Sequence, residues 1–474
     1  MTMLMKPNTN NQNNETRRKF IKSTGIFAAG LALVPSFSMA SAKDKGVWSF
    51  LTGKQDDKLA VLGGKPLRTK AWQKWPIWNP ETDEKRVVDT IRSGVWSRAG
   101  VANEFEAAWA KALDVKRSLT VANGTNALIV ALHQMNIGAG DEVLVPPYTF
   151  IATVSAVLLN GAIPVFVDVD LETFQMDPDK IEAKITPRTK AILPVHILGL
   201  PCDMDRIMAI AKKHNLLVLE DACQAHLAEY DHKKVGTIGH AGCFSFQNSK
   251  NLPIGEGGAI VSNDEKFIDK CFSYTNYGYP YGTAVGTVSG GSAMLGTKVR
   301  TSEYASAIGL SLLKYLDAQT TTRNENAAYL KAQIAKTPGI VPYKLYDKVT
   351  RAAYHLFPFR FQKQNFKGLS RDKFLKALRA EGIPCSSGYT PLLEMNFIKD
   401  AFESKNFKRM YTKGELDYNK YLKNNKCPNN DILCHEEAVW FSQSMLLGSK
   451  SDMDDIAAAI AKIYKNADEL NKMG

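Results

Sequence analysis

Between about Val121 and Ser262, short uninterrupted apolar runs alternate with stretches whose apolar positions recur every three or four residues. The runs at 142–145, 164–168, 191–195, 216–220, 243–246 and 259–262 have the length and composition of strands buried on both faces. The intervening stretches 124–135, 149–159 and 203–214 have helical spacing and a polar or glycine-rich start. This alternation predicts an α/β fold, a mostly parallel sheet with helices on each side. Sheets of this kind take their ligands at the carboxyl ends of the strands, so chemistry is expected there. From about Leu312 longer amphipathic helices take over, clearest at 371–380 and 454–467. The reading is a large domain at 59–311 followed by a smaller α+β domain at 312–474. Residues 272–300, rich in Gly, Ser and Tyr, predict a surface loop or a lid.

The first 42 residues do not follow the pattern. An Asn-rich start leads to Thr16-Arg17-Arg18-Lys19-Phe20-Ile21-Lys22, an uncharged run from Gly25 to Phe37, and the small residues Ser38-Met39-Ala40-Ser41-Ala42. The run is too short to span a bilayer comfortably. Paired arginines before it resemble a twin-arginine export signal with cleavage after Ala42, against the alternative of an amphipathic helix lying on the core. The mature chain is then expected to be periplasmic or secreted, with no membrane anchor.

Composition narrows the classes further. With 45% hydrophobic and 23% charged residues the chain can bury a large core, which excludes disordered and collagen-like classes. The formal charge of +12 falls to +8 without residues 1–42, and no block of like charges suggests a nucleic-acid arm. Seven cysteines, from Cys202 to Cys434, make no disulfide framework; Cys427 and Cys434 can pair only if 428–431 form a loop. CxxC pairs, HExxH helices and metal-ligand histidine spacing are all missing, so no metal is expected.

The strand LLVLEDA carries Asp221 to its carboxyl end, and Gln224 and His226 follow it directly. After the next strand, Ser245-Phe246-Gln247-Asn248-Ser249-Lys250 precedes a glycine turn, a setting that desolvates Lys250 and favours its nucleophilic neutral amine. Gly124-Thr125 opens a helix straight after a strand, where backbone N–H groups cradle phosphate. Phosphate cradle, buried acid and desolvated lysine together describe a pyridoxal phosphate site. Taken singly each has a bland reading: a solvated lysine, a helix-capping aspartate, a common turn.

At this order and spacing the chain resembles the DegT/StrS family of sugar and aminocyclitol aminotransferases, of the aspartate-aminotransferase-like fold type I, from about Leu59 onward. The motifs that carry the resemblance are GVWSRAGVANEFE, ANGTNAL, VPPYTFIAT, LEDACQAH and SFQNSKNLPIGEGGAIVSND. It implies that Lys250 forms the internal aldimine and that Asp221 faces the pyridine nitrogen. A carboxylate about 3 Å from a pyridinium gains roughly 5 kcal/mol at an effective dielectric of ~20, before desolvation. It further implies that Phe150 stacks on the ring, Gln224 bonds near the ring hydroxyl, and Gly124, Thr125 and Ser245 hold the phosphate. His196 matches a family position, with a packed structural residue as the alternative. Two positions depart from the family. Lys298 stands where an asparagine usually reaches the neighbouring subunit's phosphate, and Leu227 replaces a glycine.

The implied reaction is ping-pong amino transfer from an amino-acid donor to a keto-sugar or keto-cyclitol, in a homodimer. Dehydration or epimerisation of an amino sugar, or sugar binding without catalysis, are the alternatives. The segment AWQKWPIWNPE, with Trp72, Trp75 and Trp78, leans toward the cyclitol branch. A nicotinamide dehydrogenase is disfavoured, since no GxGxxG follows a strand.

Overall fold

The computed structural model describes residues 58–284, 287 and 291–472, so the export segment expected at 1–42 lies outside the described residues. Among the described residues a 3-10 turn at Ala60–Leu62 is followed by two α-helices, α1 (Pro80–Arg92) and α2 (Gly100–Leu113). Asn79 caps α1 by accepting the Glu81 N–H. The start of α2 has no cap of its own. Instead the buried carboxylate of Glu303 accepts the N–H groups of Ala99, Val101 and Ala102 at 2.6, 2.8 and 2.9 Å.

The alternating elements follow: β1 (Arg117–Val121), α3 (Gly124–Gln134), β2 (Glu142–Val145), α4 (Ile151–Leu159), β3 (Ile163–Phe166), β4 (Thr189–Ile192), α5 (Met204–His214) and β5 (Leu217–Asp221). Short strands β6 (Glu229–Tyr230) and β7 (Lys233–Lys234) lead to β8 (Ala241–Ser245), β9 (Gly258–Ser262) and α6 (Glu265–Thr275). The seven-stranded sheet runs β1-β9-β8-β5-β4-β2-β3. Its neighbours β3, β2, β4, β5 and β8 are parallel, and only β9 runs against its neighbours β8 and β1. The expected mostly parallel α/β sheet is therefore present. Residues 272–275, read as loop, are the last turn of α6, and part of the remainder of 272–300 lies outside the described residues.

Each strand is apolar on both faces because both are covered. Val143, Val145, Leu219 and Cys243 pack toward α3, α4 and α6, whereas Leu144, Val218 and Phe244 pack toward α2, α5 and α7 (Glu303–Ile334). The long α7 joins two cores. Ala305, Leu312 and Leu316 belong to the cluster behind the large sheet, and Ala327, Leu330 and Ile334 to a second cluster. That second core is built on an antiparallel sheet of β10 (Ile340–Pro342), β12 (Leu356–Phe361) and β13 (Ala438–Ser442), covered by α8 (Arg371–Ala380) and a helix at Lys450–Lys465. The helix at Lys450–Lys465 begins earlier than its apolar periodicity suggests, because Ser449 and Asp452 form a capping box at its start. A short strand, β11 (Val349–Arg351), pairs with β6.

All seven cysteines are free. Cys427 precedes a short helix at Pro428–Ile432 that runs straight on into the turn holding Cys434, so the loop their pairing required is not formed.

Candidate active site

Strand alternation sends neighbouring acids of β5 to opposite faces. Glu220 points to the α5 side, where it accepts the N–H groups of Gly236, Ile238 and Gly239 at 2.6–2.7 Å and meets His196 Nε2 at 2.9 Å. His196 Nδ1 accepts the Cys202 N–H at 3.0 Å, so this fully buried histidine has both nitrogens engaged and is a packed structural residue. Asp221 faces α4. Its Oδ2 accepts the Thr153 hydroxyl at 2.8 Å and its Oδ1 the Cys223 N–H at 3.2 Å. Thr153 in turn accepts from Thr149 at 2.8 Å, which orients its own proton on the carboxylate.

The cradle forms where β1, β8 and β9 meet. Gly124 is the first residue of α3, and neither its N–H nor that of Thr125 has an acceptor within the helix. A Cβ added at Gly124 would lie 2.7 Å from Ser245 Cβ and 2.9 Å from Cys223 Sγ. One added at Gly258 would lie 2.7 Å from the Gly124 nitrogen. Only glycine at both positions lets the helix start close against the ends of β5 and β8. Gly124, with Thr125 next to it in the helix, thereby lies against Ser245.

Lys250 is half-buried in the turn after β8, and its backbone N–H donates to Gln247 O at 2.8 Å. Burial pushes its amine below the usual lysine range, against the opposing pull of Cys223 and Asp221. Gln224 is fixed at both ends of its amide: Oε1 accepts the Leu198 N–H at 2.8 Å and Nε2 donates to the Tyr389 hydroxyl at 2.9 Å. Tyr389 had no signal in the sequence. It packs edge-on against Tyr148 and Trp440, and burial raises its phenol well above the usual value.

His226 does not join Gln224. It is buried among Trp109, Phe244 and Phe246, with ring centroids 5.7–5.8 Å away, and neither nitrogen has a hydrogen bond of good geometry. Burial, with the charges of Lys250 and Arg323, pushes its pKa down to about 3; the Ser245 backbone opposes this. Leu227, where the family has glycine, holds a left-handed φ of 58° and buries its side chain in the cluster behind the sheet. Its bulk is taken up by the core and by the backbone, and the left-handed φ explains why glycine suits the position.

Phe150 caps the start of α4 and is 58% exposed, so core packing does not account for it. Lys298 is not brought to the cradle by hydrogen bond or ion pair among the described residues; its side chain is exposed and its backbone bridges to Asn276. Trp75, read from sequence only as part of an aromatic segment, donates its indole N–H to Asn248 O at 3.1 Å, beside Lys250.

This set fits pyridoxal phosphate: a glycine-lined helix start with free N–H groups for the phosphate, a buried carboxylate held by two donors for the pyridine nitrogen, and an amine shifted toward its neutral form. The comparisons agree. Residues 79–413 match the model of the DegT/DnrJ/EryC1/StrS aminotransferase family. The chain is 33% identical over 432 residues to L-glutamine:2-deoxy-scyllo-inosose aminotransferase of Streptoalloteichus tenebrarius, covering 87% of this chain and 99% of that one. Among solved structures it resembles 3-amino-5-hydroxybenzoic acid synthase (28% identity, TM-score 0.74, 85% of this chain and 100% of that one). It also resembles an aminotransferase from Psychrobacter cryohalolentis (31%, TM-score 0.73, 84% and 100%). Site geometry, fold and sequence together make this chain a pyridoxal-phosphate-dependent member of the DegT/DnrJ/EryC1/StrS aminotransferase family.

Proposed function

We propose that this protein transfers the amino group of L-glutamine to a free keto-cyclitol of the inosose class. The observation that carries the reading is Lys250, an amine depressed by burial beside Asp221, in a chain that aligns over almost the whole length of an inosose aminotransferase. Bound pyridoxal phosphate supplies an electron sink for the carbon that loses or gains the amino group. The protein's part is positional. Gly124, Thr125 and Ser245 would hold the phosphate; Thr149 and Thr153 orient the Asp221 carboxylate that would face the ring nitrogen; Gln224, locked by Tyr389, and Phe150 would hold the ring. Lys250 would move the proton at the donor carbon, first as base and then as acid.

The test is a spectrum of the cofactor-loaded protein. L-glutamine should bleach the near-visible band, 2-deoxy-scyllo-inosose should restore it, and Lys250→Ala should show neither change. Restoration only by a nucleotide-linked keto-sugar would defeat the free-cyclitol assignment, and release of ammonia without amino transfer would point to dehydration.

Two further features belong to the same reading. The exposed apolar side chains Ile91, Val95, Trp96, Tyr277, Leu295 and Tyr304 support a homodimer in which Lys298 reaches the partner's phosphate. Sedimentation at micromolar concentration should give twice the monomer mass. The twin-arginine segment supports export and cleavage after Ala42; mass spectrometry of the protein recovered from outside the cytoplasm should find a chain beginning at Lys43.

A further inference from the structure

Trp72, Trp75 and Trp78 stand three residues apart in the segment before α1, and each has a different setting. Trp72 packs with Leu62 and Leu67 against the second core, and Trp78 against the cluster behind the large sheet. Among the described residues, Trp75 joins none of the apolar clusters. Its half-buried ring has the Arg323 guanidinium 5.4 Å from its centroid, and its indole N–H donates to Asn248 O at 3.1 Å. Core packing therefore does not account for this ring. The segment itself is fastened at both ends. Glu381, the fully buried residue after α8, accepts the Ala60 N–H at 2.8 Å and the Leu67 N–H at 2.9 Å, and Lys462 pairs with it at 3.0 Å. Buried Arg68 pairs with Asp452 and Asp455 at 2.7 and 2.6 Å, and Trp72 donates its indole N–H to Gly382 O at 2.9 Å. At the other end Asp83 ties α1 to α7: its carbonyl accepts the Ser311 hydroxyl at 3.0 Å and its carboxylate pairs with Lys314 at 2.9 Å. Residues 60–83 thus form a strap from the second core to α7, with Trp75 near its middle.

The loop that carries Lys250 runs over 247–253 and is closed at its base by the Ile254 N–H on Phe246 O at 2.8 Å. The bonds of Lys250 N–H to Gln247 O and of Ser249 N–H to Gln247 Oε1, both 2.8 Å, are internal to it. Two tethers from outside lie on either side of Lys250. Asn251, its buried neighbour, donates Nδ2 to Ala353 O at 2.8 Å, and Trp75 holds Asn248 O, which no other donor reaches among the described residues. Asn248 and Ser249 are exposed, so the second tether acts on the half of the loop that faces water.

We infer that the strap makes Trp75 a positioning residue for Lys250: through Asn248 O it holds the loop down, so that the amine stays buried beside Asp221 and Cys223. This rests on the aminotransferase reading. Burial is what lowers the pKa of the amine, and a loop free to lift would return it to water and to its ordinary protonation. The titratable and charged groups in electrostatic contact with the amine or with its neighbours are Asp221, Cys223, His226, His355 and Arg323, none of them on the strap. Trp75 carries no charge of its own. A changed pH profile on altering it therefore reports movement of the loop and not the loss of a charge.

The experiment is capture of pyridoxal phosphate by cofactor-free protein, followed in rapid mixing by growth of the near-visible band between pH 7 and 11. Trp75→Phe keeps an aromatic ring beside Arg323 and removes the indole N–H. Its rate constant at pH 8 should fall about 2- to 10-fold, the factor that one neutral hydrogen bond carries. The pH midpoint of capture should also move up toward 10.5, the ordinary lysine value, while thermal stability stays native. A native rate and midpoint in Trp75→Phe would overturn the proposal. Slower capture with an unmoved midpoint would overturn it too, since the ring would then be guarding entry and not holding the amine in place. If Trp75→Phe does not fold, Trp72→Phe takes its place, because it unfastens the strap from Gly382 O. The midpoint should shift in the same direction, and an unmoved one would overturn the proposal. A native protein that develops no near-visible band with pyridoxal phosphate at any pH would instead remove the aminotransferase reading, and this proposal with it.

Discussion

Gly124→Ala isolates the role of the close approach between α3 and the ends of β5 and β8. The new methyl would lie 2.7 Å from Ser245 Cβ and 2.9 Å from Cys223 Sγ, where carbon contacts normally lie at about 3.5–4.0 Å. The helix start must therefore retreat by roughly 1 Å, taking with it the N–H groups that face the phosphate. Overpacking of this kind costs about 1–3 kcal/mol. If the strain is expressed in the cradle, the dissociation constant for pyridoxal phosphate rises about 5- to 150-fold, at 1.4 kcal/mol per decade. Absorbance or fluorescence titration of cofactor-free protein measures it directly. Gly100→Ala is the matched control, since Gly100 also opens a helix, α2, and a Cβ there meets nothing within 4 Å. It should leave cofactor affinity unaltered. Native affinity together with native thermal stability in Gly124→Ala would show that the helix start tolerates a side chain, and the cradle argument would fail.

Three other outcomes are expected. His226 titrates near 3 in the fold against about 6.5 unfolded, so the unfolded chain binds the extra proton and stability is lost as pH falls from 6.5 toward 3. His226→Phe should remove about 1.4 kcal/mol per pH unit of that loss in denaturant unfolding between pH 4 and 6, and an unchanged slope would contradict a neutral buried imidazole. Thr153→Val leaves Asp221 Oδ2 without its hydroxyl donor, a charge-assisted bond of about 1.5–3 kcal/mol, and should slow the glutamine half-reaction roughly 10- to 100-fold in rapid-mixing measurements. Because burial lowers the Lys250 pKa, capture of pyridoxal phosphate by cofactor-free protein should accelerate with pH through a midpoint below 10.5; a midpoint at 10.5 or higher would show the amine to be solvated.

The sheet was readable because strands buried on both faces leave unbroken apolar runs, and residues at their carboxyl ends, Asp221 and Ser245, follow directly in sequence. Strand direction leaves no such trace, so the reversal of β9 was not foreseen. The helix α2 was missed because its start is specified by a partner elsewhere: Glu303, two hundred residues on, supplies its N-terminal hydrogen bonds; α1 was missed although Asn79 and Pro80 mark its start locally. The same distance hid Tyr389, whose hydroxyl accepts from Gln224 Nε2 from the side of the second core. Thr153 was closer to view, one turn after Phe150 within PPYTFIAT, although a threonine at helical spacing carries no mark of its partner. Leu227 shows the opposite limit. A departure from the family was visible, but only the backbone angle shows that its effect falls on the polypeptide's conformation.

The seven unpaired thiols bear on where such an enzyme can work. Cys202, Cys223, Cys243 and Cys271 are held well above their ordinary pKa chiefly by burial, and Cys385 and Cys434 are pushed to about 12. Cys427 is raised further. At neutral pH almost none of this sulfur exists as thiolate, the form that oxidants and disulfides attack. Burial thus lowers the reactivity of these thiols toward oxidants and disulfides.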